Sequence, residues 1–266
     1  MLANFHTHTT FCDGKNTPEE MVLAALEKEF SAIGFSVHGR TDFDLRYCTK
    51  DCDGYIKEIL RLKEKYKNDI SIYLGAEEDS LAFVNREEFD YIIGSAHYLL
   101  LGNSYYPVDS GYESVQKCLA QFDNDVLAFA EAYYSAFCRY IHFRKPDIIG
   151  HFDLITKFDE LNDSLFFSNN EYNKLAEKYI EFAAESQCVF EVNTGAIAKG
   201  YRTTPYPREN LLHKLRKLDA KIILSSDCHK AEDLDFKFEE TKKYLKDIGF
   251  SKLMTIKDDK FAEYSI

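Results

Sequence analysis

Short apolar runs alternate along the chain with longer stretches in which apolar residues recur every three or four positions. The runs Leu2–Phe5, Ala32–Val37, Ile70–Gly75, Tyr91–Gly94, Ile148–Gly150, Val189–Val192 and Ile222–Leu224 are brief and bounded by polar residues or glycine. That is the pattern of strands buried on both faces of a parallel sheet. Between them the spacing predicts helices. One opens at Thr17-Pro18-Glu19-Glu20, with a capping threonine, proline in the first turn and acids at the positive helix end. Its apolar residues Met21, Val22, Ala25 and Leu26 keep helical spacing. Further helices are expected over 52–67, 112–142, 169–186, 207–218 and 230–247, and loops over 98–111 and 157–168. Repeated βα units imply an α/β fold with a parallel sheet. Seven such strands without a linker, repeat or low-complexity segment point to one domain over 1–266, closed as a seven-stranded (β/α) barrel.

Composition narrows the partners. Of 266 residues, 45% are hydrophobic, enough for a full core, and the net charge is −12. A surface that acidic repels nucleic acid and anionic membranes, so neither is expected as a partner. An anionic substrate would need local positive charge at its site. The seven cysteines, at 12, 48, 52, 118, 138, 188 and 228, are odd in number and form no C-x-x-C pair. They read as reduced thiols rather than a disulfide framework. With no apolar run of membrane-spanning length and no visible leader, a soluble cytoplasmic protein is expected.

The histidines change the picture. Six of eight fall just past an expected strand: His6, His8, His38, His97, His151 and His229. In a parallel barrel the strand ends share one rim, where active sites form. His142 and His213 lie inside helical patterns and read as ordinary histidines. His6-Thr-His8 can grip one ion through alternate residues, or can be a structural pair. Asp13, before Gly14, is a ligand or a turn residue. His38 ends a strand as ligand, core residue or cap. In Glu77-Glu78-Asp79, alternation puts Glu77 and Asp79 on one face and Glu78 on the other. Three adjacent acids need cations nearby or solvent around them. Gly94 and Gly150, near His97 and His151, suggest close backbone approach to a ligand. In Asp227-Cys228-His229 the outer two share a face, and Cys228 should point into the core. Together, His6, His8, Asp13, His38, Glu77, His97, His151, Asp227 and His229 offer nine ligands. One ion takes about four to six, so the set suits two or three ions, with Glu77 a natural bridge. Clustered ions are a design for hydrolysing phosphate esters.

In order along the chain stand H-x-H, S-V-H, G-x-E, S-A-H, G-H-x-D and S-D-x-H. This series, from His6 to His229, resembles the PHP superfamily (polymerase and histidinol phosphatase). Gly150-His-Phe-Asp-Leu-Ile-Thr-Lys-Phe158, Glu191-Val-Asn-Thr-Gly195 and Pro205-Tyr-Pro207 resemble its histidinol-phosphatase branch. The resemblance implies a distorted seven-stranded (β/α) TIM-like barrel with a trinuclear centre of manganese, iron or zinc. It implies one ion on His6, His8, Glu77 and Asp227, a second on Glu77, His97 and His151, and a third on Asp13, His38 and His229. Where many members of the superfamily carry histidine, this chain carries Asp13.

The activity so implied is hydrolysis of L-histidinol phosphate to L-histidinol and phosphate, in histidine biosynthesis. The alternative is a PHP phosphoesterase acting on another small phosphomonoester, a sugar phosphate or nucleotide. The metals lower the pKa of the attacking water, and Glu77 and Asp227 take the catalytic roles, Asp227 as one candidate to protonate the leaving alkoxide. The branch often has arginine near positions 157 and 198–199; here stand Lys157, Ala198 and Lys199, with Arg202 close by. These three cations are the expected phosphate clamp, Arg202 foremost because arginine binds phosphate with two prongs. Tyr105, Tyr106 and Phe152 are pocket-lining or packing residues.

Overall fold

The computed structural model describes residues 1–162 and 164–266. Position 163, within the segment 157–168 read as a loop, lies outside the described residues. The strands are β1 (Ala3–Asn4), β2 (Ala32–His38), β3 (Ser71–Asp79), β4 (Tyr91–Ser95), β5 (Tyr98–Leu101), β6 (Ser104–Pro107), β7 (Ile148–Ile149), β8 (Val189–Asn193), β9 (Ile222–Ser225), β10 (Lys252–Lys257) and β11 (Lys260–Ser265). The helices are α1 (Pro18–Glu27), α2 (Cys52–Lys65), α3 (Tyr112–Leu119), α4 (Val126–Arg144), α5 (Asn170–Ala184), α6 (Gly195–Ala198), α7 (Glu209–Lys217) and α8 (Phe238–Ile248).

The seven expected strands lie side by side as β1-β2-β3-β4-β7-β8-β9, parallel throughout. The sheet does not stop there. β10 joins β9 in parallel at Met254 and Ile223, and β11 folds back antiparallel on β10, which makes nine strands instead of seven. The β10–β11 turn runs through Asp258 and Asp259, both at positive φ (49° and 58°). Without glycine there, the segment carries no hairpin signal. Beyond the ends of β1 and β9, Thr7 pairs in parallel with Cys228, and His8 N donates to Cys228 O at 2.9 Å. The first and last of the seven strands therefore meet at the level of the histidines.

Two further expectations are corrected. The segment 98–111 is no plain loop: β5 and β6 form a hairpin whose turn places Gly102 at φ +61°, a position that suits glycine. The expected helix 112–142 is two helices. Asp123 and Asn124 take left-handed φ of 52° and 64°, and the Asp125 side chain then accepts from Leu127 N and Ala128 N to start α4. Asp and Asn tolerate that backbone and cap helices well. The helix expected over 230–247 is likewise only its second half, α8, ended by Gly249 at φ 107°. The capping box at Thr17 forms as expected, with Glu20 N donating to Thr17 Oγ1 and Thr17 N to Glu20 Oε2.

Strand alternation positions the site. Tyr73, Tyr91, Ile93, Ile148, Val189 and Ile223 form one buried cluster on one face of the sheet. By the period of two, Glu77, Ser95, Glu191 and Ser225 continue that face toward the strands' C-terminal ends. The opposite face, with Ile33, Phe35 and Leu74 among others, packs on α1 and α2, and Ile149, Phe190, Val192 and Leu224 on α4, α5 and α7. All seven cysteines are free, and Cys228 is 2% exposed in the core as expected. Among the described residues, no helix is long and apolar enough to cross a membrane.

Candidate metal centre and cavity

Glu77, buried near the end of β3, is the hub. Its Oε2 lies 2.9 Å from His38 Nδ1, 3.2 Å from His6 Nε2 and 3.4 Å from His8 Nε2. Its Oε1 lies 3.0 Å from His151 Nε2 and 3.4 Å from His97 Nε2, and accepts from Ser95 Oγ at 2.6 Å. Asp227 Oδ1 is 3.2 Å from His8 Nε2, 3.6 Å from His6 Nε2 and 3.7 Å from His229 Nδ1. Asp13 reaches His229 Nε2 at 3.3 Å and His38 Nε2 at 3.7 Å. All nine side chains singled out from the sequence therefore meet in one place.

Their donor atoms fit cations. They form four overlapping groups, each within 4.8 Å: His8–Asp13–His38–His229, His6–Glu77–His151, His6–His8–Asp227 and His38–Glu77–His97. His6 Nε2, His8 Nε2, Asp13 Oδ1, Glu77 Oε2 and His151 Nδ1 are buried with no hydrogen-bond partner. Leaving such groups unsatisfied costs about 1–3 kcal/mol each, and nitrogen and carboxylate ligands together suit zinc, manganese or iron. The grouping implied by family resemblance is kept for Asp13, His38 and His229, with His8 added, while His38 stands closer to Glu77 than that grouping has it.

The charges support one another. Burial alone would raise the carboxyls of Glu77 and Asp227. The imidazoles of His6, His38 and His97 nevertheless hold Glu77 well below the usual range, and Lys199 and His6 do so for Asp227. Burial would lower His6, but Glu191, Glu77 and Asp227 hold it well above its ordinary value. Burial, with His38 and His229, drives His8 down to about 3, which leaves its ring neutral and able to ligate.

Local structure explains the placement. Asp13 sits in a tight loop in which Cys12 N and Gly14 N both donate to Thr9 O. A Cβ at Gly14 would lie 2.4 Å from the His8 carbonyl carbon, so the turn requires glycine. Asp227 is not in a strand: β9 ends at Ser225 and Asp227 takes φ +47°, a sparsely populated backbone typical of functional sites. The glycines near His97 and His151 make no room for a ligand. A Cβ at Gly94 would strike the Tyr140 ring and one at Gly150 would strike Ser95 Oγ, so both serve packing. Glu78 does face away from Glu77, but it is buried rather than solvated, held by Arg144 and Tyr140. Asp79 accepts from His97 N at 3.1 Å and lies 3.3 Å from its Nδ1. His142 and His213 lie apart, on α4 and α7.

A cavity of about 300 Å³ opens over this cluster. Lys157 and Lys199 line it, beside Asp44, Arg46, Tyr47, Tyr98, Asp109 and Tyr206. Lys157 Nζ is 2.9 Å from Asp109 Oδ2, and Lys199 Nζ is 3.4 Å from His229 Nδ1. Arg202 is separated from them. It is 3% exposed, donates to Thr156 Oγ1 at 3.0 Å, lies 3.6 Å from Asp153 Oδ2 and stacks 4.2 Å from the Tyr206 ring centre, behind the cavity wall. Tyr105 stacks on Phe43 and Phe152 lies in the core, so both pack as aromatics instead of lining the cavity. Tyr47, Tyr98 and Tyr206 line it in their place.

A model of the PHP domain matches residues 4–195. The chain belongs to the PHP domain family. The matched span ends before Asp227 and His229, which the fold nevertheless brings to the other seven ligands. This PHP protein is 28% identical to the Schizosaccharomyces pombe protein named "Probable histidinol-phosphatase", over 96% of this chain and 90% of that one. It is 26% identical to the Bacillus subtilis "Histidinol-phosphatase", over 88% of this chain and 96% of that one. Its fold resembles that of histidinol phosphate phosphatase from Lactococcus lactis, solved with zinc, L-histidinol and phosphate. The TM-score is 0.74 at 20% identity, covering 98% of each chain.

Proposed function

We propose that this PHP protein is a histidinol-phosphatase, a phosphoric monoester hydrolase that converts L-histidinol phosphate to L-histidinol and phosphate in histidine biosynthesis. The observation that carries the chemistry is the convergence of nine histidine, aspartate and glutamate side chains in one cluster, with His6 Nε2, His8 Nε2 and Glu77 Oε2 buried and unpartnered. The substrate comes from the relatives, which carry that name and align over nearly their whole length. The nine ligands suit two to three divalent ions, manganese, iron or zinc. The chain is then one domain, its seven parallel strands bent into a distorted barrel, working in the cytoplasm on a small phosphomonoester.

Divalent ions held by these residues would neutralise phosphoryl charge and acidify a water. The chain's own groups do the rest. Lys157 and Lys199 draw the phosphate into the cavity against the protein's net charge of −12. Glu77 offers one oxygen to each side of the histidine cluster. Asp227, held well below the usual carboxyl range, carries no proton at neutral pH. Ionised, it has no proton to give the leaving alkoxide at the outset and acts as a hydrogen-bond acceptor toward the attacking water.

The test is a comparison of initial rates, with manganese present, on L-histidinol phosphate and on sugar phosphates, nucleotides and generic aryl phosphates. A kcat/KM for L-histidinol phosphate at least a hundredfold above the rest is expected, about 2.7 kcal/mol of discrimination. A higher value for a sugar phosphate or nucleotide would move the protein to another phosphoesterase activity.

A further inference from the structure

Glu191 lies in β8, one strand away from any ligand-bearing segment the sequence pointed to, yet it is 1% exposed and touches the metal centre. Its Oε1 lies 2.5 Å from His6 Nδ1 and accepts from Ser225 Oγ. Its Oε2 accepts from His151 N at 2.8 Å and from Asn193 Nδ2 at 3.0 Å. The Asn193 amide cannot be the other way round, because its Oδ1 already accepts from Gly195 N at 2.8 Å. Both oxygens of Glu191 are thus committed as acceptors, and the atom facing Oε1 from His6 must be a donor.

We propose that Glu191 is a positioning residue that fixes the tautomer of His6, so that Nδ1 carries the proton and the Nε2 lone pair faces the ion shared with His8, Asp227 and Glu77. This rests on the metal-centre reading above. The geometry agrees at the other end of the ring. His6 Nε2 has no hydrogen-bond partner and points at Glu77 Oε2 and Asp227 Oδ1. A ligating histidine held by a carboxylate at its far nitrogen is also made more basic toward the metal. Through His151 N the same carboxylate fixes the backbone of a second ligand, so one side chain ties β7, β8, β9 and the segment after β1 to the centre.

The experiment uses the zinc-loaded full chain with isotope-labelled histidine. In the wild type, NMR should show His6 bound through Nε2, with a strongly deshielded Nδ1 proton. In Glu191→Gln that proton signal should be lost, because an amide places its NH2 against one of two donor pairs. Zinc affinity, measured by competition with a chelator, should then fall roughly 10–100-fold. Glu191→Asp, which keeps the charge, should recover part of it. Binding of zinc by His6 Nδ1 in the wild type would overturn the proposal even if the variants do not fold. So would a Glu191→Gln protein that melts earlier but keeps wild-type zinc affinity, since that is the mark of a purely structural tie. Failure of the phosphatase assignment would show only in substrate assays and leave the zinc and NMR results unchanged.

Discussion

Arg144 on α4 grips Glu78 with two parallel hydrogen bonds, Nε to Oε1 at 2.8 Å and Nη2 to Oε2 at 2.7 Å. Tyr140 OH and Val84 N fill the remaining acceptor sites of the carboxylate. One residue earlier in the same strand, Glu77 faces five histidines instead. Adjacent acids thus serve opposite ends, one holding the sheet to α4 and the other organising the chemistry. Glu77→Gln should abolish turnover while the chain still folds, its melting temperature falling no further than that of the chelated wild type, because an amide cannot offer a negative oxygen to both sides of the cluster. Glu78→Gln should leave kcat largely intact but lower stability by ~2–3 kcal/mol. That is less than a fully buried break, because Arg144 keeps partial contact with solvent. Thermal melts and kinetics on both variants check the pair, and similar behaviour of the two would show the strand register to be wrong.

Metal removal should act on stability as well as rate. The nine converging side chains would hold ions in the folded chain and are scattered in the unfolded one. Free metal at a hundred times its Kd should therefore stabilise the fold by about 2.7 kcal/mol per site. Exhaustive chelation should abolish activity and lower the melting temperature, and manganese or zinc should restore both. Elemental analysis should give two to three ions per active chain; fewer than one would be incompatible with this centre.

Much of this was legible in the sequence because the side-chain period of a strand is two and the strands are parallel. Polar residues just past strand ends can be assigned to one rim without coordinates, which brings the six histidines, Glu77 and Asp227 together as candidate ligands, whereas Asp13 stands in a turn and is suggested only by its nearness to His8 in sequence. The misses have physical reasons. Asp123-Asn-Asp125 breaks a helix without glycine or proline, and Asp258-Asp259 turns a hairpin the same way. Arg202 is the foremost phosphate ligand expected from the sequence because arginine binds phosphate with two prongs and it stands close to Lys199. Its burial against Asp153, Thr156 and Tyr206 depends on how β8 and the segment before α7 pack, which no local pattern encodes. Glu191 was visible within Glu-Val-Asn-Thr-Gly, and alternation alone puts it on the same face as Asn193. What sequence could not supply was its partner, His6, 185 residues away.

Gly14→Ala offers a test of the third ligand group that touches no ligand. Its Cβ would fall 2.4 Å from backbone atoms of His8 and Thr9, so the loop carrying Asp13 must shift. The expected result is a loss of one ion per chain in elemental analysis, with the more deeply buried sites still filled. Full occupancy with normal kinetics would mean that Asp13 is dispensable.

The phosphate clamp is where geometry reorders the cations. A phosphomonoester carries close to two negative charges at neutral pH. Lys157 and Lys199 line the cavity, whereas Arg202 stands behind Tyr206 with its guanidinium committed to Thr156, Pro205 O and Asp153. Lys199 is the less restrained of the two lysines, since Lys157 is held by Asp109 at 2.9 Å. Lys199→Ala and Lys157→Ala should each lower kcat/KM by roughly ten- to a thousandfold, ~1.4–4 kcal/mol of transition-state stabilisation. Metal content should not change. Arg202→Ala should act first on stability, because it leaves Asp153 buried without its cation, and only then on rate through the loosened Tyr206 ring. Kinetics, melting temperature and metal content on all three variants decide it. If Arg202→Ala alone lost activity at unchanged stability, the arginine would have to swing into the cavity on substrate binding. If all three kept wild-type kcat/KM, the phosphate would be held by the metal centre without help from these cations.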